Sequence, residues 1–67
     1  MRVRLANLRE GCNLTQAEIS KRAKISQGYY SDIENGTRCP SPSVAGRIAR
    51  VLNLRDEEMF RVFYSKE

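Results

Sequence analysis

The chain has 67 residues, with twelve Lys+Arg against eight Asp+Glu, no histidine and a net charge of +4. That length holds one small domain, residues 1–67, and a chain so short buries only about 60% of its unfolded surface, which favours association with a second copy. The basic excess points to a polyanionic partner, while the lack of any apolar run near about 18 residues excludes a membrane helix.

Taken in order, residues 2–10 place Val3 or Leu5 with Leu8 at helical spacing, and Gly11 is the expected stop. Thr15 with Glu18 forms a capping box at the start of a second helix, about 16–23, and Leu14 with Ile19 forms the hydrophobic staple around that cap. Ser26 caps a third helix, about 27–34, with Ile25 and Tyr30 as its staple, and Asn35-Gly36 supplies the left-handed stop. Only Lys24-Ile25 separates the second helix from the next cap. Two short helices joined so tightly cross steeply, as in a helix-turn-helix. In the third helix Tyr30 and Ile33 turn inward, whereas Gln27, Gly28, Tyr29, Ser31 and Asp32 fall on a face that no core pattern explains. Residues 37–41 read as a loop, and Ser41-Pro42 opens a fourth helix with the apolar stripe Ala45, Ile48, Ala49 and Leu52. Asn53 is its stop. Asp56-Glu57-Glu58 suit the positive end of a fifth helix, about 55–65. Its run Met59, Phe60, Val62, Phe63, Tyr64 is apolar on more than one side, which marks a candidate dimer surface. The fold class is all-α.

The stretch TQAEISKRAKISQGYYSDIENG, about residues 15–36, resembles the helix-turn-helix of the Cro and lambda-type repressor family, also called Xre-like. Gln16, Ala17, Glu18, Ile33, Glu34, Asn35 and Gly36 carry the resemblance most specifically. Leu8-Arg9-Glu10, Pro40-Ser41, Ile48-Ala49 and Leu52 extend it to roughly residues 3–54. It implies a five-helix, lambda-repressor-like domain that binds double-stranded DNA. Three positions depart from the pattern. Lys24 stands where the family has a turn glycine, Ser20 where it has a close-packed alanine, and Gly46 where it prefers a larger apolar residue. A lysine in the left-handed region costs about 1–2 kcal/mol.

The start of the second helix offers free N–H groups to an anion, and the resemblance implies that the Gln16 amide clamps a DNA phosphate there. Asn35, Thr37 and Arg38, just past the third helix, are placed for a second phosphate contact. Lys21, Arg22 and Lys24 read as solvated charges. Base reading falls to the third helix, because an α-helix fits the major groove and its leading residues meet base edges. Gln27 presents a donor and an acceptor side by side, matching adenine. Gly28 allows close approach, Tyr29 suits a thymine methyl or a phosphate, and Asp32 suits cytosine N4 or the rejection of wrong sequences. The resemblance also implies that Arg9 pairs with Glu34 as a structural ion pair.

These features describe a sequence-specific DNA-binding transcriptional regulator of bacterial or phage type, read as a homodimer on a palindromic operator. The alternative is a helical protein-interaction module that keeps the fold without binding DNA. An enzyme is excluded, since no histidine, metal set or nucleophile-with-base group is present, and no cofactor or small-molecule substrate is expected. The N-terminus MRVRLANLRE lacks the apolar core of a secretory signal, so a cytoplasmic location is expected, with Cys12 and Cys39 as free thiols. The Asn-x-Thr triplets at Asn13 and Asn35 read as cap and turn chemistry.

Overall fold

A computed structural model describes residues 1–64, which form five α-helices: α1 (Val3–Gly11), α2 (Gln16–Arg22), α3 (Gln27–Asn35), α4 (Pro42–Val51) and α5 (Asp56–Phe63). Residue 65, the expected end of the last helix, lies outside the described residues.

Helix starts follow the side-chain chemistry. Thr15 Oγ1 accepts from the Glu18 N–H at 3.1 Å, and Glu18 Oε1 accepts in return from the Thr15 N–H at 2.9 Å. Ser26 and Ser41 cap α3 and α4 by accepting from Tyr29 and Val44, and Pro42 sits at the head of α4, where its missing N–H is not needed.

Helix ends repeat a single device. After α1, α2, α3 and α4 comes one left-handed residue, at Asn13 (φ 59°), Lys24 (φ 60°), Gly36 (φ 86°) and Asn53 (φ 57°). The N–H of the residue after each one reaches back five positions, giving Leu14 to Arg9, Ile25 to Ser20, Thr37 to Asp32 and Leu54 to Ala49, at 2.8–3.2 Å. This is the Schellman closure, which satisfies carbonyls that the helix leaves open. Only one of the four stops is glycine. Gly11, expected to end α1, is instead its last helical residue, and Asn13 makes the turn. Placing the left-handed residue at 13 drives Leu14 into the core, where it is buried.

The same apolar residues then open the next helices. Leu14 closes α1 and staples α2 against Ile19; Ile25 closes α2 and staples α3 against Tyr30. These join Leu5, Ala23, Ile33, Val44, Ala45, Ile48, Leu52, Val62 and Phe63 in one core. α2 packs on α3 and α4, α4 on α5, and α1 on α3 and α5. The apolar run of α5 divides into two stripes. Val62 and Phe63 are buried with Met59 against them, whereas Phe60 remains 58% exposed, its ring tilted against that of Tyr64 with centroids 5.7 Å apart.

The two other departures from the family pattern have different consequences. Ser20 is buried, but its hydroxyl donates to the Ala17 carbonyl at 2.9 Å, so no polar atom is stranded. At Gly46 an added Cβ would meet no atom within 4 Å, so nothing in the packing requires glycine. Two stabilising substitutions follow. Lys24→Gly relieves left-handed strain and gives back part of the gain as unfolded-state entropy, a net of about 0.5–1 kcal/mol. Gly46→Ala gains about 1 kcal/mol of helix propensity. Thermal unfolding followed by circular dichroism should show Gly46→Ala raising Tm by about 4–8 °C and Lys24→Gly by about 2–8 °C.

Candidate nucleic-acid interface

α3 is anchored on one side and open on the other. Tyr30, Ile33 and Glu34 are buried, while Gln27 and Gly28 stand exposed at its leading turn. An amphipathic helix of nine residues gains little stability alone, so its placement depends on what holds the buried side.

That hold is centred on Glu34, only 2% exposed. Arg9 Nε donates to Oε2 at 2.9 Å and Arg9 Nη2 to Oε1 at 3.1 Å, a two-pronged ion pair. The buried Tyr30 hydroxyl donates to Oε2 at 2.6 Å. Gln16 Nε2 donates to Oε1 at 3.3 Å. Burial pushes the Glu34 carboxyl up, but the bonds from Arg9, Tyr30 and Gln16 together with the arginine charge outweigh it and hold the group below its ordinary value. Burial, then the bond to Glu34, raises the Tyr30 phenol, so it remains a donor. Arg9 Nη1 also donates to the Leu14 carbonyl at 2.7 Å, tying the turn before α2 to the same guanidinium.

The sequence-predicted phosphate residues lie around this centre. Gln16 is half-buried and held by Glu34. Asn35 ends α3, exposed, beside Glu34. Thr37 and Arg38 are exposed in the following loop, and their N–H groups both donate to the Asp32 carbonyl, at 3.0 and 3.2 Å. Among the proposed base readers, Gln27 and Gly28 are free-standing at the surface. Asp32 is half-buried, and its main chain anchors the loop. Tyr29 differs from the expected open face. It is half-buried against the core, and the Arg38 guanidinium lies over its ring at 5.3 Å. A base-facing and a phosphate-facing candidate are therefore one stacked unit.

The capping box carries a further electrostatic consequence. Glu18 is exposed at the leading end of α2, and its bonds to the Thr15 backbone and hydroxyl keep it below the usual carboxylate range. Its charge offsets the positive field of that helix end.

Arg2 carries a role that helical periodicity does not show. Its N–H donates to the Glu34 carbonyl at 2.8 Å. Its guanidinium donates to the carbonyls of Ile33, of Arg38 at 3.1 Å and of Phe63 at 3.3 Å. The ends of α3 and α5 and the intervening loop thus meet on one cation. Tyr64 adds a second tie from α5, donating from its hydroxyl to the Pro40 carbonyl at 3.0 Å.

Two outcomes test this network. Arg9→Ala strands a buried carboxylate and should cost about 3–5 kcal/mol in denaturant unfolding. Because the folded Glu34 carboxyl lies below its ordinary 4.5, its stabilisation is complete above that pH and fades as the unfolded chain takes up the proton first. It is lost once pH falls through the folded value. Stability measured from pH 6 downward should show this loss, and Glu34→Gln should remove the Glu34 part of it.

Comparison with known proteins fits this geometry. A family model described as Helix-turn-helix matches residues 5–59. An HTH-type transcriptional regulator of Archaeoglobus fulgidus is 37% identical over 60 residues, covering 90% of this chain and 84% of that protein. The HTH-type transcriptional regulator YqaF of Bacillus subtilis is 50% identical over 38 residues, 57% of this chain and 50% of YqaF. The ImmF control region 10 kDa protein of Bacillus phage phi105 is 45% identical over 42 residues, 63% of this chain and 47% of that protein. With its capped α2–α3 pair and five-helix arrangement, the chain belongs to the Xre/Cro-like helix-turn-helix family, a family of DNA-binding regulators and not of enzymes.

Proposed function

We propose that this protein is a cytoplasmic, sequence-specific DNA-binding transcriptional regulator that acts as one helix-turn-helix domain per chain. The observation that carries the reading is the two-sided character of α3. Its inner side is fixed by Tyr30, Ile33 and Glu34, and its leading turn presents Gln27 and Gly28 to solvent. α3 enters the major groove. Gln27 reads a base edge, Gly28 allows close approach, and Tyr29 and Asp32 line the same surface. Gln16, Asn35, Thr37 and Arg38 contact phosphates on either side and set the register. The net charge of +4 supports the same polyanionic partner.

Such a helix spans a short half-site, so the functional species is a homodimer on a palindrome with half-sites about one helical turn apart. The exposed Phe60–Tyr64 pair at the end of α5 is the surface proposed for that dimer.

Selection of binding sites from a randomised duplex pool tests the reading directly. A palindrome with a defined half-site spacing is the expected result, and no enrichment would count against it. On the selected site, Gln27→Ala should cost about 1–3 kcal/mol and relax preference at one base pair. Arg38→Ala should weaken binding and lower the salt slope by about 1. Phe60→Glu should leave the fold intact, shift sedimentation towards monomer and reduce binding to the full palindrome towards that of an isolated half-site.

A further inference from the structure

The contact between Gln16 and Glu34 does more than hold two helices together. A carboxylate can only accept hydrogen bonds, so the Gln16 amide must face Glu34 with its nitrogen. That nitrogen carries two hydrogens. One goes to Oε1 of Glu34 at 3.3 Å, and the second remains for another acceptor. A DNA phosphate is also acceptor-only. An amide free to rotate would offer it oxygen as often as nitrogen, and oxygen against a phosphate is repulsive.

The orientation of Glu34 is itself fixed. Arg9 holds both carboxylate oxygens, and Tyr30 holds Oε2 at 2.6 Å from the core side. The carboxylate is therefore a rigid reference point on the inner side of the Gln16 amide, with its charge masked by Arg9.

We infer that Glu34 is a positioning residue for DNA binding: its buried carboxylate sets the Gln16 amide so that the second hydrogen on Nε2 is presented to a backbone phosphate. This rests on the reading of Gln16 as a phosphate contact and extends it to a residue that touches no DNA. The gain is pre-organisation. A side chain already held in its bound rotamer need not be ordered on binding, which is worth about two- to tenfold in affinity.

A double-mutant cycle tests this, using fluorescence anisotropy on a short mixed-sequence duplex at low salt. The proteins are the wild type, Gln16→Ala, Glu34→Gln and the double variant, each with its folded fraction checked by circular dichroism. An amide at position 34 both donates and accepts, so it no longer dictates how Gln16 faces. Gln16→Ala should weaken binding by about tenfold, as expected for one hydrogen bond to a charged group, without changing the salt slope, because the amide is neutral. Glu34→Gln should weaken binding by about two- to tenfold when Gln16 is present and by less than about twofold in the Gln16→Ala background. Equal losses in both backgrounds would show that Glu34 acts through the fold alone, overturning the inference while leaving the Gln16 contact standing. No effect of Gln16→Ala would overturn both. If Glu34→Gln does not fold, the combined replacement Arg9→Met, Tyr30→Phe, Glu34→Leu exchanges the polar network for apolar groups of similar size. The same comparison with and without Gln16 then decides the outcome.

Discussion

Four donors converge on the carboxylate of Glu34: two from Arg9 on α1, one from Gln16 on α2 and one from Tyr30 on α3 itself. A carboxylate this deeply buried is costly unless it is fully satisfied. Here the satisfying groups come from α1 and from both helices of the motif, α2 and α3. Hydrophobic packing of Ile19, Ile33 and Leu5 is non-directional and would tolerate small rotations of α3. The hydrogen bonds to Glu34 would not. A buried polar network with every member satisfied rigidifies its surroundings and selects one arrangement. On the proposed reading, in which α3 enters a groove at a fixed angle, that directional constraint matters more than added stability.

The remaining architecture is economical in residues. Leu14 and Ile25 each complete the closure of one helix and begin the staple of the next, so a single apolar side chain fixes both the exit and the entry angle of the chain. Between Arg22 and Gln27 there are only four residues, of which Lys24 takes the left-handed turn and Ser26 the cap. The tight corner follows from this chemistry.

Most of the fold was legible in the sequence because its signals are local. The capping box, the serine caps, Pro42 and the stops at Gly36 and Asn53 act over three to five residues and read directly from spacing. The misplaced stop of α1 shows the limit of such reading. Gly11 looked like the natural terminator, yet the turn belongs to Asn13 because Leu14 has to reach the core. Likewise the apolar run in α5 reads as two-sided until its neighbours are known. Met59, Val62 and Phe63 share the inner stripe, and Phe60 and Tyr64 the outer one. The candidate site was less legible. The Arg9–Glu34 pair followed from resemblance, whereas the Gln16–Glu34 bond, the Arg38–Tyr29 stack and the contacts of Arg2 join positions whose spacing carries no helical period. Such contacts depend on the way whole helices dock.

Arg2 has one more implication. Helix ends are ordinarily among the first parts of a small protein to open. Here the second residue holds the last turn of α5, the loop at Arg38 and the final carbonyls of α3 together. The start of α1 and the end of α5 are therefore linked through one side chain: amide exchange near residue 2 should keep step with exchange near residue 63, and a disturbance at residue 63 should be felt where α3 ends.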